Sequence, residues 1–184
     1  MPVSEQTYLQ LAAEDPEGHW ELHCGHLRRK PEMTTEHDAT MHNLGFLLHQ
    51  QLNRAEFVVR INTGRTRRSP SRYYIPDVCV IPARQIRQLL EHPGTFAVFR
   101  DPLALVAEVW SPSTGDYDVR DKLVEYQRRG DLEIWLIQPY ERTLAAWRRQ
   151  TDGSYTESLF SEGTIEPIAL PGVSIALAAL FEWE

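Results

Sequence analysis

The sequence predicts an α/β protein in which a central mixed β-sheet carries helices on both faces. Three observations carry that expectation. Short runs rich in β-branched and aromatic residues, "EFVVRIN", "YYIPDVCVI", "PLALVAEVWS" and "LEIWLIQP", alternate with stretches of helical periodicity. The last two of these runs flank a helix-length segment, a strand–helix–strand crossover whose strands should lie parallel and whose connection should be right-handed. Finally, 184 residues with 42% hydrophobic and 24% charged side chains are enough for one sizeable core, so a single domain over 1–184 is expected.

Taken in order, "SEQTYLQLAAED" opens with Ser4 as a cap and places Tyr8, Leu11 and Ala12 at helical spacing. "HWELHCGHLRRK" alternates around Cys24-Gly25, as a hairpin does. "TTEHDATMHNLGFLLHQQLN" sets Met41, Leu44, Leu48 and Leu52 on one stripe behind Thr34 or Thr35 as cap. Strands at "EFVVRIN" and "YYIPDVCVI" follow, then a helix at "ARQIRQLLEH" that Pro93-Gly94 ends. The near-continuous apolarity of "PLALVAEVWS" and "LEIWLIQP" reads as strands covered on both faces. Between them "DVRDKLVEYQRRG" is a helix capped by Asp118 and stopped by Gly130. The remainder is an antiparallel meander with a hairpin at Asp152-Gly153, closed by a short helix in "SIALAALFE".

The formal net charge of −7, from 19 Lys and Arg against 26 Asp and Glu, argues against coating nucleic acid through bulk charge. A local basic face is still allowed. Five arginines, Arg60, Arg65, Arg67, Arg68 and Arg72, fall in the thirteen residues "RINTGRTRRSPSR", either as a phosphate-tracking loop or as a solvated one. Neither a signal peptide nor a membrane-length apolar run is present, and two distant cysteines show no metal-ligand spacing, so a cytoplasmic protein with reduced thiols is expected.

Two residues are out of place. Asp77 follows Pro76 inside a strand-like run, marking a bulge, an edge or a site, and Glu108 sits in the most hydrophobic strand. If the two acids face each other, one is protonated or the pair holds a cation; separately satisfied acids at strand ends are the alternative. Hard oxygen ligands favour magnesium or manganese over zinc. Lys122 borders the stripe formed by Val119, Leu123 and Tyr126, where it either reaches over the Glu108 strand or pairs with Asp118 on the surface. The corner Ser111, Pro112, Ser113, Thr114 suits either phosphate contacts or simple turn chemistry.

"IPDVCVI" followed by "LVAEVWSPSTGDYDVRDKLVEYQRRGDLEIWLIQPYERTL" resembles the Uma family of restriction-endonuclease-like proteins, a branch of the PD-(D/E)xK nuclease superfamily. "HWELHCGHLRRKPEMTTEH" resembles that family's N-terminal hairpin and next helix. The resemblance implies a restriction-endonuclease-like fold and metal-dependent cleavage of DNA phosphodiesters, with Mg2+ or Mn2+ on Asp77, Glu108 and the carbonyl of Val109. The superfamily's lysine usually stands two residues after the acid; here that residue is Trp110, and Lys122 matches the family's helix lysine instead. Tyr126, Glu21 and His37 match family positions as supporting residues. Arg65, Arg67, Arg68 and Arg72 are the expected DNA contacts, and cutting both strands would favour a homodimer. Two other readings stand beside it: a catalytically silent binding or regulatory module on the same fold, and a non-nuclease enzyme acting on another phosphate substrate.

Overall fold

The run at 73–81 is divided by its Pro76-Asp77 dipeptide between two sheets. The computed structural model describes residues 2–94, 96–113 and 117–183, the side chains of 118–120 aside. Thr114 and the side chains of Asp118 and Val119, to which a phosphate contact, a helix cap and a stripe position are assigned above, lie outside the described residues.

The N-terminal third builds a scaffold from local signals. Helix α1 (Glu5–Glu14) begins where the Ser4 hydroxyl accepts the Thr7 N–H at 3.1 Å. Strands β1 (Trp20–His23) and β2 (His26–Arg29) pair antiparallel across Cys24-Gly25, whose φ of 50° and 80° are both left-handed, as the tightest hairpin turn requires. Helix α2 (Thr35–Gln51) is capped by Thr34, whose hydroxyl accepts the His37 N–H. After β3 (Phe57–Ile61) come β4 (Thr66–Ser69) and β5 (Arg72–Tyr74), which join β1 and β2 in a four-stranded sheet of order β2-β1-β5-β4.

Past Pro76-Asp77 the chain enters β6 (Val78–Pro82), then α3 (Ala83–Leu90) and β7 (Leu105–Val109). A π-helical turn, Tyr117–Lys122, leads into α4 (Leu123–Arg129), which Gly130 stops at φ 82°. Strands β8 (Glu133–Gln138), β9 (Thr143–Arg149) and β10 (Tyr155–Phe160) follow, and α5 (Leu177–Leu180) lies near the end. The second sheet runs β10-β9-β8-β7-β6-β3; β7 and β8 are its parallel pair and its other pairs are antiparallel, as the crossover predicts. It is a central mixed sheet flanked by helices.

Alternation sorts the side chains. Leu105, Ala107 and Val109 point with Val78, Val80, Trp135 and Ile137 toward α2 and α5. Val106, Cys79, Ile81 and Ile134 point the other way, onto Leu123 and Tyr126 of α4 and Ile86 and Leu89 of α3. Glu108 shares the parity of Val106, so its carboxylate is aimed at α4. Among the described residues no helix is long and apolar enough to cross a membrane.

Candidate active site

The two misplaced acids come together because of the sheet register. Strands β6 and β7 pair Val80 with Leu105, Cys79 with Val106 and Val78 with Ala107, so one step further Asp77 stands beside Glu108 at neighbouring strand ends. Both are 1% exposed, and both line one cavity of about 370 Å³. An unpaired carboxylate at such burial costs several kcal/mol, roughly, so each needs a partner.

Asp77 finds its partners outside its own sheet. Its Oδ1 accepts from Lys30 Nζ at 2.7 Å, and its Oδ2 accepts from the Val109 N–H at 2.7 Å and meets His37 Nε2 at 3.1 Å. Lys30 also donates to Asn62 Oδ1 and to the Ile75 carbonyl, both at 2.9 Å, which fixes the ammonium. Burial alone would raise the Asp77 carboxyl, but Lys30, then His37 and Lys122, outweigh it and hold the group well below the usual carboxylate range. With Nε2 donating to Asp77, His37 Nδ1 is a buried acceptor without a hydrogen-bond partner among the described residues, a place that suits a water.

Glu108 is met from α4. Lys122 Nζ lies 3.3 Å from both its oxygens, and the Tyr126 hydroxyl donates to Oε1 at 2.5 Å. Lys122 Nζ is also 3.1 Å from Glu21 Oε1, while that oxygen accepts the Ile75 N–H at 2.7 Å. Lys122 is 1% exposed, so it lies in the interior and not on an exposed helix face. The π-helical turn that ends at Lys122 is the local reason: its wider winding changes which residues of the helix face the sheet, and such turns recur at functional sites. Tyr126 touches the acid directly through that bond. Tyr117 stacks beneath Arg28 at 4.2 Å, and burial pushes its phenol up.

Sequence reasoning therefore names Asp77, Glu108, Lys122, Tyr126, Glu21 and His37, and these six converge. Val109 contributes its N–H to Asp77. The arginines do not join them. Arg65 is buried against Tyr8 and Phe96, Arg67 is held by Glu5 and Tyr73, and Arg68 and Arg72 share Glu125. None of the four lines the cavity, against the expectation that they are its DNA contacts; Tyr8 and Phe96 claim Arg65, the half-buried Glu5 of α1 claims Arg67, and the buried Glu125 of α4 claims Arg68 and Arg72. Arg28 and Arg29, exposed on β2, line it instead, with Lys30. The missed residue is Lys30, whose one signal is the basic run "RRK" where the hairpin ends.

A divalent ion needs oxygen donors that are free to turn to it. Among the described residues no three His, Cys, Asp or Glu side chains are already gathered as a metal-holding group. The donor set nonetheless fits a hard cation: two ionisable carboxylates on adjoining strand ends, with Glu21 close to Lys122, on one shared cavity. An ion would bind by taking over a carboxylate oxygen from a lysine.

The sequence profile of the family described as "Uma2: Putative restriction endonuclease" matches residues 5–178. The fold is similar to the crystal structure of "a putative nuclease belonging to DUF820" from Anabaena variabilis ATCC 29413, with a TM-score of 0.81 and 20% identity over 99% of each chain. No protein of curated function matches the sequence.

Proposed function

The chain belongs to the Uma2 family, and from that premise we propose that it is a Mg2+- or Mn2+-dependent endonuclease that hydrolyses DNA phosphodiester bonds. The observation that carries the reading is the pair Asp77 and Glu108, buried, adjacent and each faced by a lysine on one accessible cavity. A core gains nothing from that arrangement, since apolar residues of the same volume would do at least as well.

Asp77 and Glu108 would hold the metal, with the Val109 carbonyl as a third ligand. Once bound, the metal supplies Lewis-acid polarisation of the phosphate and a more acidic water. The remaining work falls to the chain's own groups. Lys122, positioned by Glu21 and Glu108, offers its ammonium to the charge that builds on the phosphate oxygens. Tyr126 fixes the Glu108 rotamer through its hydroxyl. His37 Nε2 orients Asp77 and leaves Nδ1 to accept a hydrogen bond from a water. Arg28 and Arg29 at the mouth attract the DNA backbone in spite of the negative net charge. The proposed compartment is the cytoplasm, where Cys24 and Cys79, both free thiols, stay reduced. Cutting both strands would take two copies related by symmetry.

A silent binding module on the same fold has one observation in its favour: Lys30 and Lys122 already neutralise both acids. Single-turnover cleavage of plasmid and single-stranded DNA at saturating Mn2+ decides between them. The endonuclease reading expects Glu108→Gln to abolish cleavage and Lys122→Ala to slow it about 100-fold or more with folding retained. No metal-dependent cleavage by the unmodified protein would leave the silent module standing.

A further inference from the structure

Beside the acid cavity the sheet carries a second, differently lined depression that the chemistry above leaves unused. The strand register draws it as a single row. Glu108 of β7 pairs with Leu136 of β8, Leu136 with Ala145 of β9, and Ala145 with Leu159 of β10. At about 5 Å per strand the row extends roughly 15 Å from the acid to the edge of the sheet. It forms the floor of a groove of about 270 Å³ to which Glu108 itself contributes, so groove and acid cavity meet at that residue. Trp110 and Trp147 are half-buried along it, and Leu159, 70% exposed, lies open at its far end.

The linings of the two depressions are opposite in character. The cavity has Lys30, Lys122, Arg28 and Arg29; among the described residues the groove has no lysine or arginine and carries Glu141 at its rim. A phosphate belongs in the first and is repelled from the second. The main chain at Trp110 is fixed by its backbone N–H, which donates to the Ile137 carbonyl at 2.8 Å, and Tyr140 meets its ring at 5.8 Å and 89°. Tyr140 is in turn tied by its hydroxyl to Thr34 at 2.8 Å. Gln138 and Thr143, opposite each other on β8 and β9, put hydrogen-bonding groups at the groove's edge.

Resting on the nuclease reading, we propose that this groove takes an unstacked nucleobase next to the scissile phosphate, with Trp110 as its stacking platform. The substrate is then single-stranded nucleic acid or a base swung out of a duplex. A phosphate seated against Lys122 in the cavity has this groove beside it at Glu108, while Tyr117, an aromatic of the cavity itself, is already covered by Arg28 at 4.2 Å. Aromatic side chains beside a basic phosphate site are how single strands are held without reading sequence. Trp110 also stands where the superfamily usually has its lysine, so in this chain that strand position serves the base while Lys122 serves the phosphate.

The test is fluorescence anisotropy of a short single-stranded oligothymidylate, with Ca2+ in place of Mg2+, against the unmodified protein, Trp110→Ala and Trp110→Phe. Trp110→Ala should raise Kd about tenfold or more and Trp110→Phe should recover most of the loss. An abasic version of the strand should bind the unmodified protein as weakly as the normal strand binds Trp110→Ala, with no further loss in combination. Leu159→Glu, exposed and harmless to the core, should weaken the normal strand if Trp110→Ala proves unstable. Equal Kd for all variants, or for normal and abasic strands, overturns the base site while leaving the nuclease reading intact. Failure of the unmodified protein to bind either strand or duplex overturns both. Dissociation of a dimer by Leu159→Glu, with oligonucleotide affinity unchanged, would assign the groove to a second copy of the chain.

Discussion

Two clusters of buried charge differ in one respect that separates chemistry from architecture. Around Arg129 and Asp131 every charge is sealed. The guanidinium makes two parallel bonds to the carboxylate at 2.8 and 2.9 Å and three more to the carbonyls of Arg67, Phe99 and Asp101, while Asp131 Oδ1 accepts the Leu103 N–H at 2.7 Å. Around Asp77 and Glu108 the burial is as deep, but the groups line a cavity, and the ammonium groups that face them are shared, Lys30 with Asn62 and the Ile75 carbonyl and Lys122 with Glu21. Burial with complete saturation locks one geometry. Burial beside an accessible space leaves carboxylate oxygens that can change partner, which metal binding needs.

The widest difference should appear when each cluster loses its cation. Arg129→Ala strips a carboxylate and three carbonyls of their donor at once and leaves the fully buried Asp131 as an uncompensated charge, so a loss of about 3–5 kcal/mol is expected in urea unfolding. Any metal-dependent activity should persist in whatever fraction stays folded. A loss below about 1 kcal/mol would show that the sealed pair contributes little and would remove the contrast.

Lys30→Met should cost less, about 1–3 kcal/mol, because water in the cavity can solvate the Asp77 carboxylate left behind. The pH dependence sharpens the point. Asp77 is held below its unfolded value of about 3.9, so its ionisation stabilises the fold above pH ~4 and that contribution is lost as pH falls below ~4 toward the folded value. Lys30 is the largest influence lowering the group. Without it the acid-induced loss should shrink, so the urea midpoints of the two proteins should differ most near neutral pH and draw together below pH ~4. Parallel midpoint curves would mean that Lys30 does not set the state of Asp77.

The same contrast explains what could be read in the sequence. Hairpins, caps and the β7–α4–β8 crossover are specified by neighbours in the chain, and Cys24-Gly25, Ser4, Thr34 and Gly130 fix them locally. The division of 73–81 between two sheets was not legible, since Pro76-Asp77 announces a break without saying where the next strand pairs. An acid inside an apolar strand is a sound pointer to Asp77 and Glu108 but not a sufficient one. Glu133 shows the same pattern in β8, yet it is sealed by Trp135 Nε1 at 2.9 Å, Arg148 Nε at 3.2 Å and the Ala169 N–H at 3.4 Å. Access to a cavity, which decides between the two, is a property of the fold alone. Lys30 is invisible for a related reason: 47 residues separate it from Asp77, and in the chain it reads as the tail of a basic run.

The smallest effect is expected where a buried acid has spare partners. Glu125 is 5% exposed and is approached by Arg128 at 2.9 Å, Arg72 at 3.3 Å and Arg68 at 3.7 Å. Arg68 is the most distant of the three and its side chain is 37% exposed, so its attraction is weakened by solvent while holding its long side chain still has an entropic cost. Arg68→Ala should therefore change stability by less than about 0.5 kcal/mol, with little response to salt, because Arg72 and Arg128 continue to neutralise the carboxylate. If Arg68 instead tracks phosphates on the four-stranded sheet, the same variant would keep its stability and lose DNA affinity with a shallower salt dependence, by about one ion in the slope. Arg28→Ala at the cavity is the comparison, since Arg28 is the more exposed of the two and lines the acid site. A salt slope lowered by Arg28→Ala and unmoved by Arg68→Ala would place the nucleic acid over the cavity rather than along the arginine loop. The reverse would restore that loop as the DNA contact and detach it from the pair of acids.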